Sequence, residues 1–407
     1  MAARKPQSNS NGNGGGSASA EVYHTSPRLP VDHRYQVVAL VLQGGGALGS
    51  YQAGVYEGLA AADVHPNWVA GISIGALNTA IIAGNPPDKR VDRLKEFWQT
   101  ICQPPYLPPS PWSNLQATQQ WPEAWMTLLN GLEAWRALTE GQKGFFVPRN
   151  PVTAVGPSTP DKVSFYDTAP LKSTLEALVD FDRLNDVRQM RVSVGAVNVR
   201  TGNFVYFDNT KERLRAEHFM ASGALPPGFP AVEIDGEYYW DGGIVSNTPL
   251  QQVLTAEPRK NALIFQVDLW SARGALPTDL PSAALRQKDI QFSSRTRMIT
   301  EFMSGMQEYR HLLRELMELV PEGARKNSPW YQRAAEASCD RLFNVIHLIY
   351  QGKGCEGDCK DYQFGALTMR DHWRSGLADI QRSLQRPGWL DMPSADQPLV
   401  THDIHRT

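Results

Sequence analysis

Twice between residues 37 and 85 the chain runs from a short apolar stretch through glycines into a small-residue segment, as VVALVLQGGGALGSYQAGVYEGL and again as WVAGISIGALNTAIIAGN. Nothing else in the sequence narrows the fold as much. Gln36 to Gln43 is almost continuously apolar, the pattern of a strand buried on both faces of a parallel sheet. Beyond the glycines, Ala53, Val55, Tyr56, Leu59 and Ala60 have the spacing of a helix laid on that sheet. Trp68 to Ile72 predicts a second strand and Ala76 to Ala83 a second helix, with Ser73 on the turn between them. Further strands are expected at Arg191 to Asn198, Phe204 to Phe207 and Ala262 to Leu269, so the fold class is an α/β sandwich.

The two glycine turns carry different chemistry. Gly44, Gly46 and Gly49 match the GxGxxG of a dinucleotide-binding loop, which calls for an acidic residue about 20 positions further on to hold the ribose. That place holds Ser73. No Lys-Ser or Lys-Thr follows the glycines, so a Walker phosphate loop does not fit either. A glycine turn at a helix N-terminus still offers backbone N–H groups and the positive helix end to an anion, a tetrahedral oxyanion among them. GISIG is a GxSxG, in which Gly71 and Gly75 let the chain turn sharply around Ser73 and expose its hydroxyl. With Gly45 and Gly46 presenting amides beside Ser73, and Ile74 adding the amide after it, the two turns read as one acyl-transfer site.

A serine needs a base. None of the nine histidines sits in a glycine-flanked loop after a strand. Asp241 ends an aromatic strand in GEYYWDGGIVSNTPL, and Gly242 and Gly243 free the chain to turn after it. As a pattern this suits a catalytic carboxylate and a plain β-turn alike.

GGGALG, GISIG and DGG in this order, with SGALPPGFPAVEIDGEYYWDGG leading to the third, resemble the patatin-like phospholipase family over roughly Tyr35 to Leu269. The resemblance implies a three-layer sandwich around a mainly parallel sheet. It also implies a Ser-Asp dyad, with Ser73 as nucleophile and Asp241 as the base, and an oxyanion hole at Gly44, Gly45 and Gly46. Acyl-ester hydrolysis with no cofactor and no metal follows from it. Many members carry Arg or Lys where this chain has Leu48, which bears on the electrostatics of the loop and on preference for anionic head groups. Should Asp241 not be the base, His218, ahead of MASGALPPGFP, is the first histidine to consider.

Outside the motifs the chain divides by composition. Residues 1–34 are rich in Ser, Asn and Gly and are expected to be a disordered tail. Residues 35–275 form the expected catalytic domain, with a Pro- and Trp-rich insert at about 100–160. There Trp98, Trp112, Trp121, Trp125 and Trp135 are read as packing back on the domain through helices, one starting near Pro122; an apolar lid touching lipid is the other reading. Residues 276–386 read as a mainly helical extension packed on the catalytic domain, and 387–407 as a tail. In the extension Phe302, Met306, Tyr309, Leu313 and Leu316 share one stripe of a long helix, expected to face a core. RLFNVIHLIYQG predicts a strand and FGALTMRDHWRSGLADIQRSL a last helix. Part of this extension resembles the C-terminal region of a bacterial branch of patatin-like proteins.

With 40 Lys and Arg against 42 Asp and Glu, there is no global electrostatic case for a nucleic-acid partner. The pair Cys355 and Cys359 in CEGDC lacks a second close pair to complete a zinc set and is read as loop thiols. No secretory h-region and no membrane-spanning window are visible, so a cytoplasmic protein is expected. The expected partner is a lipid or another acyl ester, such as a storage polyester or thioester; peripheral membrane contact and a homo-oligomer stay open. Two other function classes, a catalytically silent lipid-binding protein and a nucleotide-binding enzyme, are opposed by the intact Ser73 and Asp241 and by the missing ribose acid respectively.

Overall fold

The computed structural model describes residues 31–102, 104, 123–150, 157–325, 328–338, 341–395 and 397–405. Nine strands make the main sheet: β1 (Val37–Leu42), β2 (Trp68–Ile72), β3 (Arg191–Asn198), β4 (Phe204–Asp208), β5 (Val232–Ile234), β6 (Glu237–Asp241), β7 (Ala262–Asp268), β8 (Phe343–Ile349) and β9 (Leu399–Asp403). Their order is β9-β8-β7-β1-β2-β3-β6-β5, with β4 also paired to β3. All neighbours from β9 to β3 are parallel, and β4, β5 and β6 are attached antiparallel. The principal helices are α1 (Ser50–Ala61), α2 (Ile74–Ala83), α3 (Arg90–Ile101), α4 (Glu123–Glu140), α5 (Ala216–Ser222), α6 (Leu280–Phe292), α7 (Thr296–Glu318) and α8 (Ala366–Leu384).

The alternation of side chains along each strand divides the core into two layers. Leu40, Leu42, Val69, Phe265 and Ile346 lie on one face in a cluster with residues of α1, α2, α3 and α8. Ala39, Val41, Ala70, Ile264 and Val345 lie on the other, against the short helix Leu250–Leu254 and Met303 of α7. Because both faces are covered, β1, β2 and β7 have no polar side: the apolar runs in the sequence are the direct record of a three-layer sandwich with a mainly parallel sheet.

The attachment of β6 decides where the chemistry falls. β2 pairs with β3 over Arg191 to Gly195, and β6 pairs with it over Ala196 to Asn198. β4 pairs with β3 over Ser193 to Val197, overlapping both. A strand has only two edges, so β2 and β6 share the edge that β4 leaves free and run into each other head to head. Ile72 pairs with Gly195 and Asp241 with the next residue, Ala196. The residue after Ile72 is therefore delivered to the end of β6.

Several expectations change in the C-terminal third. The long helix is broken at Ser293–Arg295 into α6 and α7. Its apolar stripe is not core: Phe302, Tyr309 and Leu316 are 66%, 69% and 62% exposed, and the buried positions of α7 are Thr296, Met303, Gln307 and Met317. The helix leans on the sheet through a narrow seam, which periodicity alone cannot orient. Segment 387–407 is not merely a tail, because β9 extends the sheet in parallel beside β8; Leu399 and Val400 supply the half-buried apolar residues that make this worthwhile. Of the Pro- and Trp-rich insert, Trp112 and Trp121 lie outside the described residues. Trp98 is fully buried in α3, whereas Trp135 on α4 is exposed. Residues 1–30 of the expected N-terminal tail are likewise outside the described set. Among the described residues no helix is long and apolar enough to cross a membrane.

α8 crosses α1 at backbone distance. A side-chain carbon at Gly54 would overlap the Trp373 carbonyl, and one at Gly376 the Tyr51 carbonyl. At the same crossing the Tyr51 hydroxyl donates to Asp379 at 2.7 Å. Gly376→Ala raises intrinsic helix propensity by about 1 kcal/mol, but here it forces two helix backbones apart, a cost of about 1–3 kcal/mol or more. We expect the packing cost to win, with a net loss of about 2 kcal/mol measured as a lower urea midpoint; an unchanged or raised midpoint would show that the crossing is not tight.

Candidate active site

β2 ends at Ile72, and Ser73 turns the chain into α2 with φ 55° and ψ −126°. A non-glycine residue there is strained by roughly 1–3 kcal/mol, so the turn must be held from outside. Ser222 at the end of α5 does this: its hydroxyl accepts the Ser73 N–H at 3.0 Å and donates to the Gly195 carbonyl at 2.6 Å. The flanking glycines are required by closeness. A side-chain carbon at Gly75 would overlap the Leu42 carbonyl of β1, and one at Gly71 the Gly75 carbonyl. The serine hydroxyl is thereby lifted off the sheet edge at the N-terminus of α2.

The Asp241 carboxylate accepts the Gly243 N–H at 2.7 Å, and the Ser73 side chain lies close enough to lower its pKa. Asp241 is buried, only 2% exposed. Burial pushes its carboxyl up to about 7, and the Ser73 side chain and the Gly243 N–H only partly hold it down. Gly242 and Gly243 open a single 3₁₀ turn after it. Asp241 is thus more than a turn residue, since its carboxylate faces the serine.

The first glycine turn borders the same space. Gly44, Gly45, Gly46, Ser73, Ile74, Asp241 and Gly243 all line one cavity of about 280 Å³. Its loop is pinned by Gly44, whose carbonyl accepts from Asn247 Nδ2 at 3.0 Å and from Trp270 Nε1 at 2.9 Å. The Gly44 N–H is itself engaged, donating to the Asn247 carbonyl at 3.2 Å. Here Gly44 is a clamp, and its amide is taken up by Asn247. For the amides of Gly45, Gly46 and Ile74 no protein acceptor occurs among the described residues, and α2 adds its positive end. Gly46 turns with φ 55°, and a side-chain carbon there would overlap the Asp361 carbonyl. Gly49 closes the 3₁₀ turn Gly46–Gly49 and packs on Ile74 and Trp98, so its role is packing.

His218 stands apart. It is buried at the start of α5, where Nδ1 accepts the Arg215 N–H at 2.9 Å and the ring lies 4.7 Å from that of Phe207. Burial lowers its pKa, and it does not line the cavity. Cys359 is half-buried, and the side chain of Cys355 is outside the described residues.

Sequence reasoning missed several supports. Ser222 lies in the quoted SGAL segment and Asn247 six residues after Asp241, yet neither type advertises a loop clamp. Gln43 fixes the loop from behind: its Oε1 accepts the Leu269 and Trp270 N–H groups at 2.6 and 3.0 Å, and its Nε2 donates to Thr248 and to the Phe292 carbonyl. That last bond joins the loop to the C-terminal extension. The extension also supplies Phe292, Asp361, Tyr362 and Phe364 to the cavity wall, contacts that no local pattern records.

Comparison with known proteins bears on both halves of the chain. A family model described as "Patatin-like phospholipase" matches residues 40–254, and one described as "Patatin phospholipase" matches residues 290–396. Among solved structures the chain is similar to VipD from Legionella pneumophila, with 13% identity and a TM-score of 0.36 over 86% of this chain and 66% of that one. It is also similar to human GIVD cytosolic phospholipase A2, with 12% identity and a TM-score of 0.30 over 56% and 42% of the two chains. The type III effector protein ExoU matches at 14% identity and a TM-score of 0.23 over 88% and 84%. The chain thus spans just under two thirds of the length of VipD and under half of the human enzyme. A search of curated proteins gave no match.

The buried carboxyl of Asp241 ties stability to pH. Its folded pKa of about 7 lies above the ordinary carboxyl value of 3.8, so between these values the folded state holds a proton that the unfolded chain has released. Stability from this group is present at low pH and is lost as pH rises through 7. Asp241→Asn removes the dependence. Relative to the parent protein, its urea midpoint should improve from pH 5 to pH 8 by an amount worth on the order of 2–3 kcal/mol; a constant difference over that range would contradict the burial argument.

Proposed function

The chain belongs to the patatin-like phospholipase family, whose model spans residues 40–254, and from this premise we propose that it is a serine acyl-ester hydrolase working through Ser73 and Asp241. The observation that carries the reading is a buried Asp241 carboxyl pushed up to about 7 with the Ser73 side chain beside it, in a cavity bordered by the amides of Gly45, Gly46 and Ile74, which have no protein acceptor among the described residues.

Ser73 Oγ attacks the ester carbonyl carbon while its proton passes to Asp241. A carboxylate is ordinarily too weak a base for this, and burial corrects that by raising its pKa toward the working pH. The carbonyl oxygen, now an oxyanion, is received by the amides of Gly45, Gly46 and Ile74 at the N-terminus of α2, each such donor being worth about 3 kcal/mol in the barrier. On collapse the C–O bond of the alcohol breaks, and Asp241 returns the proton to the leaving oxygen. Water then attacks the acyl-enzyme carbonyl, giving up a proton to Asp241; the Ser73 Oγ–acyl bond breaks, the acid leaves, and Asp241 returns the proton to Ser73 Oγ. No histidine lines the cavity among the described residues, and the sequence of events needs none.

Ser73→Ala and Asp241→Asn should each lower kcat/KM on a soluble ester by roughly a thousandfold or more, with circular dichroism unchanged. Fluorophosphonate labelling should be lost in Ser73→Ala. For the parent protein, kcat/KM should rise about tenfold per pH unit below 7 and level off above it, because only the ionised Asp241 accepts the proton. Full turnover by Asp241→Asn would refute the assignment of the base.

A further inference from the structure

The walls of the cavity beyond Ser73 are rings. Phe145, Phe146, Tyr166, Phe229 and Phe364 touch one another in sequence with centroids 4.8–6.1 Å apart, and all five line the cavity. Such a surface takes a hydrocarbon acyl chain or an aryl group. The charges are more informative. Among the described residues the only charged residues lining the cavity are Asp241 and Asp361, with no Lys, Arg or His.

Two lysines on the wall around Asp361 are already committed. Lys288 donates to the two oxygens of the Asp361 carboxylate at 3.0 and 3.3 Å. Lys360, 5% exposed, donates to Asp289 at 2.7 Å and lies 4.8 Å from the Trp270 ring. Both pairs bind α6 to the segment Gly354–Tyr362 that forms the outer wall. On the glycine loop, the position after Ala47 is Leu48, fully buried and uncharged. Segments 105–122 and 151–156, outside the described residues, contain no charged residue.

A phosphate on the alcohol part of a substrate would have to leave water and approach Asp361 with no Lys, Arg or His among the described lining residues to receive it. That costs desolvation and like-charge repulsion in a low-dielectric cavity. An uncharged alcohol incurs neither. We infer that the site is selective for neutral acyl esters, glycerides or other esters of uncharged alcohols, and discriminates against esters whose alcohol part bears a phosphate, Asp361 and the extension being the source of the discrimination. This rests on the assignment of Ser73 and Asp241 above and names the substrate class of that site.

The test uses the full chain with diacylglycerol and phosphatidylglycerol of identical acyl chains, each dilute in micelles of one uncharged detergent so that presentation is equal. Fluorophosphonate labelling of Ser73 is read in parallel. For the parent protein, kcat/KM for the diacylglycerol should exceed that for the phosphatidylglycerol at least tenfold. Asp361→Asn, which releases Lys288 toward the cavity, should narrow the ratio by about tenfold, and Lys288→Gln, which leaves Asp361 without its partner, should widen it. Equal or faster hydrolysis of the phosphatidylglycerol by a labelled protein overturns the inference while leaving the hydrolase reading intact. Failure of Ser73 to label, with turnover absent or unaffected by Ser73→Ala, refutes the hydrolase reading itself and is a different result. The parent comparison decides the matter even where a variant does not fold.

Discussion

β2 and β6 meet head to head on one edge of β3, and the rest of the site depends on that meeting. Two strands running in opposite directions along the same edge bring a C-terminal turn of each to one point. A strained serine comes directly after β2 and an aspartate ends β6, so the two side chains come near one another without any loop having to reach across the sheet. Backbone ladders on either side make the placement stiff. The strain at Ser73 is therefore sustained by the sheet, with Ser222 fastening the turn to Gly195 on the same strand.

The aspartate acquires its basicity from the same arrangement. As the last residue of a strand roofed by helices and loops, Asp241 loses water and has only Ser73 and the Gly243 amide in its place. These two neighbours do not replace full hydration of a carboxylate, and the imbalance raises the pKa. The group that destabilises the fold at neutral pH is thus the group best suited to take a proton there, a conflict between stability and chemistry that is common at functional sites.

The C-terminal extension is part of the site's architecture. It adds β8 and β9 to the sheet, lays α8 on α1, holds the glycine loop through the Phe292 carbonyl, and closes the cavity with Asp361, Tyr362 and Phe364. Its charges are arranged in pairs that hold this wall together, and among the described residues none of its cations lines the space beside Ser73. Two ion pairs, Lys288–Asp361 and Lys360–Asp289, thus tie this wall to α6.

Much of this is legible in the chain alone. The bounds of β2 and β3 coincide with the apolar runs Trp68 to Ile72 and Arg191 to Asn198 because strands buried on both faces must be apolar throughout. Ser73 stands out because a sharp turn between such a strand and a helix requires glycines on both sides. The α7 stripe faces solvent against expectation, since a helix with hydrophobic residues on two sides does not say which side a sheet will cover. Residues 387–407 resemble a tail because an edge strand of five residues, half exposed, has too little pattern to announce itself.

The sequence by itself determined the strands, the two glycine turns and the identity of the serine and the aspartate, because these follow from local rules of burial and backbone freedom. The tertiary structure alone decided that the Gly44 amide is occupied, that Asn247, Trp270 and Gln43 hold the loop, and that among the described residues Asp361 and no Lys, Arg or His lines the cavity beside Asp241. Those outcomes depend on which residues more than 200 positions apart come within hydrogen-bond distance, and separation of that kind leaves no periodic trace along the chain.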